Sequence, residues 1–217
     1  MRYLIFSDSH LSKKFDQKKF NFLQKIISSA DRVIINGDFW EGYNCTFSQF
    51  ISSPWNKLFP LLKNKKAVYL YGNHDKRIYA NKNTSLFSDI QTMKYELKSG
   101  DKTFYIEHGD RLMPLLDAYL RRYPIYLNNF MDRLESLMFR IFGKIHLYLL
   151  FRLLNQRIKQ LIRGKYRDNE YLVCGHTNFA EIDLKRNFIN SGFIKHGIGQ
   201  YLMIEDGKVS AYEELYG

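Results

Sequence analysis

The sequence predicts an α/β fold, and three patterns carry that reading. Short apolar, β-branched runs alternate with amphipathic stretches through the first third of the chain. Strand-like pairs around Gly- and Asp-containing turns follow, and a basic helical segment is inserted between two later strands. With 217 residues and 45% of them hydrophobic, the chain suits a single domain, 1–217, in which residues 111–166 form the insertion.

The first strand, residues 2–7, contains Tyr3-Leu4-Ile5-Phe6 and stops at Asp8-Ser9-His10. Phe20, Leu23, Ile26 and Ile27 recur at helical spacing, so a helix is expected over about 17–29. Val33-Ile34-Ile35 forms a second strand and runs into Asn36-Gly37-Asp38-Phe39-Trp40-Glu41. A helix is expected over about 46–62, interrupted near Pro54, where the chain lacks an N–H. The third strand, Ala67–Tyr71, ends at Gly72-Asn73-His74-Asp75. Strand–helix–strand alternation with short links implies parallel pairing. A loop or helix spans 76–91, and strands over 93–98 and 103–107 flank Ser99-Gly100-Asp101-Lys102 as a hairpin running into His108-Gly109-Asp110. Tyr171–Cys174 is a further strand, ending at Gly175-His176-Thr177-Asn178. Turns at Asn190-Ser191-Gly192 and Asp206-Gly207 predict an antiparallel β finish.

The formal net charge of +11 calls for an acidic partner: nucleic acid, anionic lipid or a phosphorylated substrate. Two cysteines, Cys45 and Cys174, form no CxxC pair and no disulfide framework, which fits a reducing compartment. Cys174, inside an apolar run, reads as a core residue. The chain opens straight into a strand, with no leader-like apolar region, and its most apolar segment, 137–154, is broken by Arg140, Lys144, His146 and Arg152. A cytoplasmic protein is expected, with peripheral attachment to the inner face of the cytoplasmic membrane as an option.

Five apolar strands each stop at side chains able to bind metal: Asp8 with His10, Asp38, Asn73 with His74, His108, and His176. In open α/β folds the carboxyl ends of parallel strands share one edge, so these residues would converge. Singly, each has an ordinary structural role as a helix cap, a turn residue or a core histidine. Four of the six histidines falling just past strand ends favours a metal site. Carboxylate, imidazole and amide oxygen without thiolate suit Mn, Fe or Zn. There are too many ligands for one ion with an open position, but a fitting number for two ions sharing a carboxylate. Such sites clamp the attacking and leaving oxygens of a phosphoryl displacement, so the implied chemistry is hydrolysis of a phosphate ester or phosphoanhydride.

Together, Asp8-x-His10, Gly37-Asp38, Gly72-Asn73-His74-Asp75, His108-Gly109-Asp110 and Gly175-His176-Thr177 resemble the calcineurin-like metallophosphoesterase superfamily. The resemblance implies a β-sandwich flanked by helices and two divalent metal ions, Mn first and Fe or Zn as alternatives. It assigns Asp8 and His10 to the first metal, Asp38 to the bridge, and Asn73, His108 and His176 to the second. His74 would donate a hydrogen bond to the transition state or protonate the leaving group, with Glu41 placed to orient it. A metal-bridging hydroxide is the expected nucleophile. Asn178 stands where the family usually has a second histidine, so the first metal's shell would be completed by an amide oxygen, a weaker and uncharged donor.

From Arg111 to Arg167 twelve Arg and Lys stand against three acidic residues. Helices are expected over about 127–142, ended by Gly143, and 144–163, ended by Gly164. Leu147, Leu150, Phe151, Leu154, Ile158, Leu161 and Ile162 give the second an apolar face. It reads either as a helical hairpin packed on the body with its charges solvated, or as a lid or an element resting on an anionic membrane surface. Arg77, Arg111, Arg121 and Arg122 are the candidate phosphate-binding residues. Asp8-Ser9-His10, Gly37-Asp38 through Glu41, the insertion and Ile189-Asn190-Ser191-Gly192 resemble, more loosely, the UDP-2,3-diacylglucosamine hydrolase branch. That likeness implies a lipid-linked nucleotide as substrate. The competing readings are a phosphoesterase for another substrate, such as a nucleotide, and a non-catalytic scaffold of the same fold. Nucleic acid is a poorer partner, because the charge is concentrated on Leu- and Phe-rich helices.

Overall fold

The computed structural model describes residues 1–114 and 145–217, with Leu134 and Leu137 between them. Two sheets pack face to face with helices outside them. The first sheet has the order β10-β11-β1-β2-β3-β4, with β12 paired to β11; the second has the order β5-β6-β7-β9-β8. The strands of the first are β1 (Arg2–Phe6), β2 (Arg32–Asn36), β3 (Val68–Leu70), β4 (Ile90–Thr92), β10 (Ile194–Lys195), β11 (Ile198–Glu205) and β12 (Lys208–Leu215). Those of the second are β5 (Lys94–Ser99), β6 (Lys102–Glu107), β7 (Glu170–Cys174), β8 (Glu181–Asp183) and β9 (Phe188–Asn190). β1 to β4 run parallel, as the alternation predicts, and β6, β7 and β9 form a second parallel set.

The middle residues of the inner strands are apolar toward both faces because both faces are covered. In β2, Val33 and Ile35 pack toward the helices, while Ile34 faces the second sheet with Ile5, Val68 and Leu70. Phe104, Ile106, Val173 and Ile189 meet them from the other side. Helix α1 (Gln17–Ser28) closes on the outer face of the first sheet through Phe20, Leu23, Ile26 and Ile27. Asp16 caps it by accepting from the Lys18 and Lys19 amides.

The expected helix over 46–62 is three short pieces: α2 (Phe47–Ile51), a 3-10 turn at Pro54–Leu58 and α3 (Phe59–Asn64). A capping box of Thr46 and Gln49 starts α2, and prolines sit at the openings of the other two, where a missing N–H costs nothing. The stretch 76–91 holds a 3-10 turn, Lys82–Leu86, and at its end the start of β4. Helix α4 (Ile145–Leu161) stands close to the expected 144–163, and its Ile158, with Ile162 just beyond, packs on Leu172, Cys174 and Phe188 of the second sheet. Cys174 is fully buried, as expected. The helix expected over 127–142 lies outside the described residues.

Candidate metal centre

The parallel strands of both sheets point their carboxyl ends to one rim, and the loops leaving them are laced together. The Asp8 amide donates to the Gly37 carbonyl (3.2 Å) and the His10 amide to the Asp38 carbonyl (2.9 Å). The Gly175 amide donates to the His108 carbonyl (2.9 Å), and the His176 amide reaches the Asp8 carboxylate across the sandwich (2.9 Å). Asp8, His10, Asp38, His176 and Asn178 all hold left-handed backbone, with φ between 44° and 63°. Such conformations persist where surrounding bonds over-determine them, and they cluster at functional sites. Two glycines are required by close approach. A Cβ on Gly72 would stand 2.2 Å from Asp38 Oδ1, and one on Gly37, itself at φ +82°, 2.4 Å from His108 Nδ1.

Asp8, His10 and Asp38 offer donor atoms within 4.8 Å of one another, and so do Asp38, His108 and His176. Asp38 belongs to both groups. His10 Nε2 lies 3.8 Å from both Asp8 Oδ1 and Asp38 Oδ2, and His108 Nε2 lies 3.2 Å from Asp38 Oδ2 and 3.0 Å from Asn73 Oδ1. The opposite ring nitrogens fix the tautomers. His10 Nδ1–H donates to Glu41 (2.9 Å), His108 Nδ1–H to the Asn36 carbonyl (2.8 Å) and His176 Nε2–H to the Met113 carbonyl (2.8 Å). His10 and His108 thus turn their other nitrogen to the Asp8 and Asp38 carboxylates, the arrangement in which imidazoles bind metal, and His176 offers a ring nitrogen within 4.8 Å of Asp38 and His108. Asn178 Oδ1 is buried and accepts no hydrogen bond among the described residues. These residues fit a two-ion site.

The electrostatics agree. Burial alone would raise the Asp38 carboxyl, but His108 and His74 hold it well below the usual carboxylate range. Asp8 is lowered too, its burial outweighed by the hydrogen bond with His10 and the charge of His108. Burial pushes the His108 imidazolium down, yet Asp38 overrides it and lifts the group to about 10. The lowered carboxyls of Asp8 and Asp38 concentrate negative charge where a cation would be met.

Glu41 and His74 meet as the resemblance implies, His74 Nδ1 lying 2.9 Å from both Glu41 oxygens. Glu41 also holds His10, so one buried carboxylate serves a ligand and the neighbouring histidine together. Arg77 and Arg111 are exposed, while Arg121 and Arg122 lie outside the described residues. Three residues support the site in roles the sequence does not assign: Asp75 stands in the Gly72-Asn73-His74-Asp75 motif without one, and Lys19 and Tyr43 stand in no motif. Asp75 accepts from the Asp38, Phe39 and Gly72 amides (3.1, 2.7 and 2.6 Å), and burial followed by the charge of Asp38 raises its carboxyl to about 6. Lys19, buried, donates to the Ser9 carbonyl; burial first, then Lys195, lowers its ammonium to about 7. Its place on the stripe of Leu23 and Ile26 was the available signal. Tyr43 donates to the Asn73 carbonyl (3.0 Å) and packs its ring 4.4 Å from that of His74.

Residues 1–178 match the family model for calcineurin-like phosphoesterases. Among solved structures, the phosphoesterase YfcE from E. coli is 15% identical with a TM-score of 0.51, all of each chain being covered. A metallophosphoesterase from Sphaerobacter thermophilus is 17% identical with a TM-score of 0.46, covering 100% of this chain and 88% of that one. A Vps29 single mutant from Entamoeba histolytica is 13% identical with a TM-score of 0.49, both chains fully covered. No curated protein sequence matches the chain significantly. The chain belongs to the calcineurin-like phosphoesterase family, as a hydrolase acting on phosphoester bonds.

Proposed function

We propose that this hydrolase uses two divalent ions, Mn first, to cleave a phosphoanhydride or phosphodiester. Asp8, His10, Asp38 and Asn178 would hold one ion, and Asp38, Asn73, His108 and His176 the other. The observation that carries the reading is Asp38 standing in both donor groups, each no more than 4.8 Å across. Bound ions would lower the pKa of water and neutralise charge on the phosphoryl group. The chain supplies the rest: Glu41 fixes the His74 ring through Nδ1, so Nε2 is the nitrogen to donate to the leaving oxygen. Tyr43 limits how far that ring can turn.

A lipid-linked nucleotide such as UDP-2,3-diacylglucosamine is the leading substrate. The motif likeness supports it, as does α4, where Leu153 and Leu161 are exposed beside Arg152, Arg157 and Arg163. Residues 111–166 would rest on an anionic membrane surface; no described helix is long and apolar enough to cross one. The test is hydrolysis of that lipid in detergent with Mn²⁺, beside bis-p-nitrophenyl phosphate. Release of UMP is expected. Activity on the generic diester alone would remove the lipid substrate, and inactivity on both, with less than one ion per chain, would favour the scaffold.

A further inference from the structure

We infer that Asn155, carried by the insertion's helix α4, is a positioning residue for the ligand loop at 175–178, and that α4 is a fixed buttress of the site. The claim rests on the two-metal reading above. Asn155 is fully buried, and all four hydrogen-bonding positions of its amide are used. Its Oδ1 accepts from the Thr177 hydroxyl and from Asn190 Nδ2 (3.2 Å). Its Nδ2 donates to the Phe179 carbonyl and to Glu181, both at 3.0 Å. Asn190 completes the bracket, donating to the Gly175 carbonyl (2.9 Å) and the Thr177 hydroxyl (2.7 Å). The loop gripped in this way carries His176 and Asn178, both left-handed. That conformation costs a non-glycine residue about 1–3 kcal/mol and needs outside bonds to hold it.

The helix is itself pinned on both sides of Asn155. Toward its start, the Tyr148 ring packs on Phe179 with centroids 5.2 Å apart, and its hydroxyl donates to Glu213 (2.9 Å). Toward its end, the buried Lys159 ammonium pairs with Glu181 (2.7 Å) and Asp183 (3.0 Å), and Ile158 is buried on the sheet. A swinging lid would have to strand the buried Lys159 ammonium and uncover Ile158 at each opening. The sequence next to the insertion's own basic residues therefore does two jobs: one face meets solvent and the other holds the metal loop.

The test is calorimetric titration of Mn²⁺ into the full-length, metal-stripped protein. The parent should take up two ions. Because the loop carries a proposed ligand to each ion, Asn155→Leu and Thr177→Val should each weaken both binding steps by about 10–100-fold, the range for lost partners of metal ligands, while Thr177→Ser restores them. Parent-like affinity in both variants, or a lower melting temperature with affinity unchanged, would overturn the positioning role. If Asn155→Leu does not fold, the Thr177→Val and Thr177→Ser pair decides alone. Fewer than two ions on the parent would instead overturn the two-metal reading, and this inference with it.

Discussion

Asp38 gathers constraints from four directions. Its carboxylate faces His10 and His108, accepts from the His74 amide (2.8 Å), and leaves no room for a side chain at Gly72. Asp38→Ala and His10→Ala are expected to abolish hydrolysis and lower the metal content measured by elemental analysis. His74→Ala should keep its metal and lose about 10²–10⁴-fold in kcat, the range for a proton-transfer group. Full activity in Asp38→Ala would sink the two-metal mechanism. Asp75 acts on the backbone instead. Asp75→Ala would strand three buried amides, at about 1–3 kcal/mol each if no water replaces the carboxylate, and urea denaturation of the metal-free protein should show a loss of at least about 3 kcal/mol. An unchanged midpoint would mean that water takes over all three bonds.

The elements were legible where hydrophobic periodicity is unbroken. Helix α1 was expected over 17–29 and spans Gln17–Ser28, because its stripe is continuous and Asp16 caps it. The pattern predicts a helix over 46–62, interrupted or restarted near Pro54, and the structure has three pieces, since Pro54 and Pro60 each restart the chain. For α4, period and glycine stop gave the span, but not which surface it covers. Ile158→Ala should cost about 2–5 kcal/mol by leaving a cavity against Leu172 and Phe188, read from the denaturation midpoint. A loss under about 1 kcal/mol would mean that the helix lies loosely on the sheet.

At the scale of the molecule, the candidate ligands from two sheets meet only when the sandwich is closed, so ions held there should bind the native state and barely the unfolded one. Each ion at a hundred times its Kd then adds about 2.7 kcal/mol. Chelator treatment should lower the melting temperature measured by calorimetry, and added Mn²⁺ should restore it in a concentration-dependent way. A melting temperature indifferent to both would show that the carboxylates tolerate one another without cations. The +11 charge is a property of the same scale, and most of it lies in the insertion.

The sequence by itself determined the α/β class, the parallel order of the first strands and the set of polar strand ends. These are local: apolar runs, turn residues and the residue after each strand are read in windows of a few positions, and the geometry of parallel strands brings their ends together. The resemblance implied the sandwich, but only the tertiary structure decided which strand joins which sheet, since Ile34 and Ile106 look alike as sequence whichever sheet they join. It also decided that Glu41 holds His10 as well as His74, that Asp75 gathers three amides, and that Asn155 reaches Thr177 and Asn190. Most of those bonds join residues more than twenty positions apart, and a hydrogen bond between distant side chains leaves no period in the sequence that could announce it.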